Sequence, residues 1–251
     1  MTKFLVLFKR EVGSIFCSPI AYVVLFFFLL VTGFNFDLTV SLLTRGPTEV
    51  SLLEAFFNSV LFWITFLLIF PLITMRSFSE EFRLGTIETL MTAPVRDWQV
   101  VLSKYCACVL FYLVLWAPSI LYFRVFEVTA KSPAAHSMGA YGGAYLMLVL
   151  IGLFYIAIGC FTSVITRNQI IAAVICFSAV MLLLFLGLLS FITLNVTPEL
   201  RDFLAYFSAI EHMSEFSKGI FDSRPIVFYL SMTLFFLVLT HHVFQSRKWK
   251  P

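Results

Sequence analysis

Charge is scarce in this chain: only 12% of its 251 residues are Asp, Glu, Lys or Arg, while 61% are hydrophobic. A soluble domain carries roughly 25% charged residues. A water-soluble globule cannot cover so much apolar surface with so few charges, and a mean hydropathy of +0.97 makes lipid the solvent. The few charges also exclude particular chemistries. The net charge of +3 is small and its basic residues are spread out, so there is no nucleic-acid patch. The chain has no Gly-Lys dipeptide, hence no phosphate loop of the Gly-x-x-x-x-Gly-Lys-Ser/Thr type. It has no His-Glu-x-x-His metal motif and no Ser, His and Asp set within an apolar run. Cysteine is sparse and odd in number: Cys17, Cys106, Cys108, Cys160 and Cys176. Cys106 and Cys108 point apart on a helix and suit neither a disulfide nor a metal, so inert packing thiols are expected. His241 and His242 diverge by about 100° on a helix and make a poor metal pair.

What the chain does have is long apolar runs. Six intervals free of charged residues are long enough for a spanning helix of about 20 residues. They are Val12–Phe36, Ala55–Met75, Tyr105–Phe123, Ser137–Thr166, Asn168–Pro198 and Pro225–Ser246. The two longest intervals include loop residues at their ends, Gly139, Gly142 and Gly143 in the fourth and Asn195 and Pro198 in the fifth, and trimming places the spans at approximately 19–37, 55–75, 104–124, 141–165, 170–191 and 225–245. The expected fold is all-α, a single membrane domain over residues 1–251. With the N-terminus inside, the inner connections hold 11 Lys and Arg against 6 outside, so both termini are expected in the cytoplasm. Charged Lys9, Arg10 and Glu11 ahead of the first run, with no small-residue cleavage site after it, argue against a cleavable signal peptide.

Two amphipathic stretches flank these spans. Near the N-terminus, Phe4, Phe8, Val12 and Ile15 recur at helical spacing, with Lys9 and Arg10 elsewhere. This predicts an interfacial amphipathic helix ending before Pro19; the alternative is a plain extension of the first span. Before the last span, Leu200, Phe203, Phe207, Ile210, Met213 and Phe216 recur every three or four residues, predicting short helices at the outer face.

The connection from Arg76 to Lys104 breaks the apolar pattern, with four acidic and four basic residues. Ser77 and Glu80 have the spacing of a capping box, Ala93-Pro94 would stop the helix, and Asp97 would cap the next one. Glu81 and Glu88, seven apart, would share one face of a short cytoplasmic helix suited to a groove on a partner. An ordinary solvated connection resting on the membrane is the alternative.

At these residues the chain resembles the ABC-2 type permeases. The resemblance is carried by Glu80, Glu81, Arg83, Gly85, Thr86, Ile87, Glu88 and Leu90, followed by Ala93-Pro94. It is strongest to the branch of gliding-motility permeases and the permease of nitrous-oxide-reductase copper maturation. Ser18-Pro19 with Ala21-Tyr22, and Ser208, Glu211, His212, Phe216 and Lys218-Gly219, agree with it. The resemblance implies that Glu80 to Met91 form a coupling helix docked on a separate ATPase subunit. It also implies a second permease chain, identical or homologous, and leaves room for a periplasmic or auxiliary subunit. ATP and Mg would be bound by the partner, with no cofactor in this chain, and the home would be a bacterial inner membrane. An ion-coupled secondary transporter would need intramembrane carboxylates and internal repeats, which the spans lack; a membrane-embedded assembly factor is a further alternative.

Overall fold

A computed structural model describes residues 2–44, 50–87, 95–130, 138–192 and 205–246. All regular elements among them are helices. They are α1 (Thr2–Phe16), α2 (Pro19–Leu43), α3 (Leu52–Phe57), α4 (Val60–Thr74), α5 (Ser79–Leu84), α6 (Asp97–Ala130), α7 (Met138–Ile165), α8 (Gln169–Ile192), α9 (Ala209–Ser217) and α10 (Ser223–Ser246). Six of the helical segments are long and apolar enough to cross a membrane, beginning at Pro19, Val60, Asp97, Gly139, Gln169 and Ser223. The protein is an all-α, polytopic membrane protein.

α1 is a helix of its own, not an extension of the first span. Ser18 leaves helical geometry (φ −79°, ψ 129°) and Pro19 starts α2, as its fixed φ and missing N–H favour at a first turn. α1 packs along the beginning of α6, with Leu7 buried and Phe16 edge-on to Phe111 at 5.4 Å. Leu5 and Val6 remain exposed on its other side, and the Phe4 and Phe8 rings stack at 6.2 Å.

Several boundaries differ from the expected ones. The second apolar interval holds a break: α3 ends at Phe57, and α4 starts after Ser59, whose hydroxyl accepts the Phe62 N–H at 3.1 Å. The same hydroxyl donates to Asn35 Oδ1 at 2.8 Å, so a side chain of α2 fixes this turn. Hydropathy does not register the break because both short helices are apolar. Gly139, Gly142 and Gly143 belong to α7, not to a loop; Gly143 admits the Phe216 carbonyl where a Cβ would overlap it. Asp97 is the first helical residue of α6, and Gln99 Oε1 accepts the Arg96 N–H at 3.2 Å. Asn195, Pro198 and 199–204 lie outside the described residues; after them α9 forms as expected, capped by Ser208, which accepts from Glu211 N.

α7 is the centre of the bundle and touches α3, α4, α5, α6, α8, α9 and α10. Its spanning window is 78% buried against 28% for those of α2, α8 and α10, which puts the latter three on the outside of the bundle. Lipid tails are as apolar as these side chains, so helix association rests on close packing rather than on escape from water. The core supplies it with interlocked rings: Phe66 and Phe70 meet edge-on at 4.8 Å, and Phe28 meets Trp116 likewise at 4.8 Å.

Among the described residues, α1 and the last turns of α10 lie on the same side of the bundle. Phe244, near the end of α10, lies 5.9 Å from Phe78 beside α5, and α1 lies on the start of α6. We call this side the terminal end. The opposite end carries α3 and α9, tied by Lys218 to Glu54 at 3.2 Å.

Candidate functional site

The charged connection after α4 folds into a compact hinge at the terminal end. α4 ends at Thr74, whose hydroxyl donates to the Phe70 carbonyl at 2.7 Å. Gly159 of α7 faces this residue so closely that a Cβ there would overlap the Thr74 side chain. One turn further along α7, Ser163 is fully buried. Its hydroxyl oxygen accepts the N–H of Phe78 at 3.0 Å and that of Ser79 at 3.2 Å, and it donates to the Met75 carbonyl at 3.3 Å. The first N–H groups of a helix have no intrahelical partner; here a residue more than eighty positions away satisfies two of them. The Ser77–Glu80 capping box does not form. Phe78 is the N-cap, and its side chain has no acceptor to offer; Ser163 takes the amides of Phe78 and Ser79 instead.

α5 is short. Gly85 stops it in the left-handed region, at φ +72°, which glycine adopts without a Cβ penalty. A single continuous helix from Glu80 to Met91 is therefore not what forms: the chain turns at Gly85 and Thr86. Glu88 and Leu90 lie outside the described residues. Arg83, Leu84, Gly85 and Thr86 form the exposed tip of the hinge, with Leu84 62% exposed.

Glu81, expected to project toward a partner, turns inward. Its Oε1 lies 2.9 Å from Lys104 Nζ and 3.1 Å from Arg10 Nη2. Lys104, whose side chain is only 2% exposed, also reaches Glu11 Oε2 at 3.0 Å, and Arg10 reaches Glu11 Oε1 at 2.7 Å. Two cations and two carboxylates thus form a neutral cluster joining α1, α5 and α6. A buried ammonium needs such pairing, since desolvation costs several kcal/mol per ion. Phe78 offers its ring face to the same ammonium at 5.5 Å. Burial pushes the Glu11 carboxyl up, but the Lys104 charge and hydrogen bonds from Arg10 and Lys104 outweigh it and hold the group below its ordinary value.

A family model described as ABC-2 family transporter protein matches residues 34–240. The chain belongs to that family. Comparison with curated proteins finds no match. The protein is thus the membrane-spanning permease subunit of an ABC transporter, a family whose members work in general with an ABC ATPase.

In this permease the structure brings Arg10 and Glu81 together and leaves Arg83, Gly85 and Thr86 at the surface. Lys9 is exposed on α1, and Glu80 lines a cleft between α1, α2 and the hinge. Sequence reading passed over Ser163, Gly159, Lys104 and Arg76. Lys104 alone carried a signal: it opens the third apolar run at a position one or two turns inside the helix, where an ammonium requires a partner. His241 stacks on Trp98 with centroids 4.2 Å apart, which anchors the end of α10 to the start of α6.

Proposed function

We propose that the hinge tip is the surface through which a separate nucleotide-binding subunit drives this permease. The observation that carries the reading is the trans cap. Because Ser163 holds Phe78 and Ser79, a push on the exposed tip at Leu84 is delivered to α7, the most buried span. The ion cluster delivers the same push to α1 and α6. In this reading Arg83, Leu84, Gly85 and Thr86 touch the ATPase, Glu81 holds the hinge in shape through Lys104 and Arg10, Glu80 lines the cleft behind it, and Glu88 and Leu90 extend the docking surface. ATP and Mg bind the partner, in keeping with the missing phosphate loop.

The excess of Lys and Arg in the inner connections supports cytoplasmic termini and a cytoplasmic hinge; the resemblance to ABC-2 permeases is what points to a bacterial inner membrane as the home. The exposed apolar rims of α2 and α8 suit lipid and a second permease chain, identical or homologous, with a periplasmic or auxiliary subunit accommodated at the far end. Charge-poor spans favour export of hydrophobic or amphipathic cargo, or mechanical transmission without a polar channel. The hinge motif supports a place in the gliding-motility and copper-maturation branch.

The test is co-expression of the chain with its ATPase, followed by pull-down and substrate-linked hydrolysis. Leu84→Asp is expected to abolish capture of the ATPase while the permease stays folded. Capture and coupling that survive Leu84→Asp with Thr86→Arg would overturn the assignment.

A further inference from the structure

At the terminal end, α1, α2, the last turns of α4 and the hinge enclose a cleft of about 370 Å³, within the range of about 300–1,000 Å³ that ligand sites span. One part of its wall is apolar, from Ile20 and Val24 of α2, Leu72 of α4 and Phe111 of α6. The other part is charged, with Glu11, Arg76, Glu80, Glu81 and Lys104. Glu11, Glu81 and Lys104 neutralise one another together with Arg10. That leaves one cation and one anion, Arg76 and Glu80. Both line the same cleft, and among the described residues neither is in an ion pair. The Arg76 guanidinium donates one N–H to the Ser18 hydroxyl at 3.2 Å, while its buried Nε has no partner. An orphaned guanidinium N–H of this kind is costly unless a ligand supplies an acceptor.

We propose that this cleft binds a zwitterionic phospholipid with a primary ammonium headgroup, its phosphate on Arg76 and its ammonium on Glu80. The two unpaired charges suit opposite charges held apart on one molecule, and a planar guanidinium fork suits a phosphate. A second negative charge on the headgroup would face Glu80 and is disfavoured. A quaternary ammonium is disfavoured as well, because such groups are held by aromatic cages and only Phe111 among the lining residues is aromatic. The cleft takes the headgroup and glycerol, and the acyl chains leave over exposed Leu72 and Leu68 on α4. A lipid seated there bridges α2 to the hinge. The inference rests on the membrane-spanning fold and not on the ATPase reading.

The full chain, purified and exchanged into mixed micelles holding equal amounts of phosphatidylethanolamine, phosphatidylcholine and phosphatidylglycerol, is examined by native mass spectrometry. Phosphatidylethanolamine is expected to be retained about tenfold over the other two, the discrimination one good charge-assisted contact provides. Arg76→Gln is expected to lose retention of all three, and Glu80→Gln to erase the preference for ethanolamine over choline while keeping the phosphate contact. Arg224→Gln, at the far end, leaves retention unchanged. Equal retention of the three lipids by the unsubstituted chain overturns the proposal. So does displacement of the lipid by an equal concentration of glycerophosphoethanolamine, which would mark a site for a soluble phosphoester. If Arg76→Gln does not fold, Glu80→Gln decides alone: an unchanged preference overturns the assignment.

Discussion

The Ser163 hydroxyl lies 3.0 Å from the backbone nitrogen of Phe78, so the buried central span caps a helix to which it is not joined in sequence. Gly159, one turn away on the same face, lets α4 come close enough for this bond to form. Ser163→Ala leaves the N–H groups of Phe78 and Ser79 and the Met75 carbonyl without that partner. Loss of a cap costs about 1 kcal/mol, and buried orphaned groups raise that figure to about 1–3 kcal/mol. A lower melting temperature in detergent and faster proteolysis at the hinge are expected. Gly159→Ala is expected to be at least as damaging, because the added methyl meets Thr74 in a packed interior.

The neutral cluster makes a sharper claim about Glu81. Because it faces Lys104 and Arg10, Glu81→Lys is expected to destabilise the permease itself, by about 3–5 kcal/mol as for other broken buried pairs. Removing the three most buried charges together, as Glu11→Gln, Glu81→Gln and Lys104→Met, is expected to cost less than Lys104→Met alone. Thermal unfolding across the set measures this. Additive losses would dismiss the cluster as a coupled unit.

Topology is checked with single cysteines in a chain lacking Cys17, Cys106, Cys108, Cys160 and Cys176. Leu84→Cys and Lys218→Cys both sit on exposed residues at opposite ends of the bundle. In intact cells, an impermeant thiol reagent is expected to modify the second and spare the first. The reverse pattern would invert the orientation.

At the far end, acid is expected to loosen α9. Burial drives the His212 imidazole down to about 4 despite the opposing pull of Asp222, and its Nδ1 pairs with the Tyr229 hydroxyl at 3.2 Å. With a depressed folded-state value, the undocked state binds the proton first. Docking is therefore at full strength above about pH 6.5 and weakens as pH falls toward 4, by a total on the order of 3 kcal/mol. At the terminal end, the lowered Glu11 carboxyl gives the ion cluster a separate loss of the same sign, which sets in only below its ordinary carboxylate range. Hydrogen exchange in α9 at pH 7 and pH 5 reads the effect, and His212→Gln is expected to flatten it.

Hydropathy is a property of some twenty consecutive residues, and that is why six spans and an all-α class were legible in the sequence. Pro19 marked the break between α1 and α2 for an equally local reason, since its ring restricts its own backbone and that of Ser18. The position of the hinge was legible too, because charge is costly in lipid and so collects where the chain leaves it. Its internal construction was not. Whether Glu81 points outward or inward depends on Lys104 and Arg10, which stand on other helices, and whether Ser77 caps α5 depends on Ser163. A charge or hydroxyl in a sequence records that a partner is needed; only the packing of α1, α5, α6 and α7 against one another decides which partner is within reach.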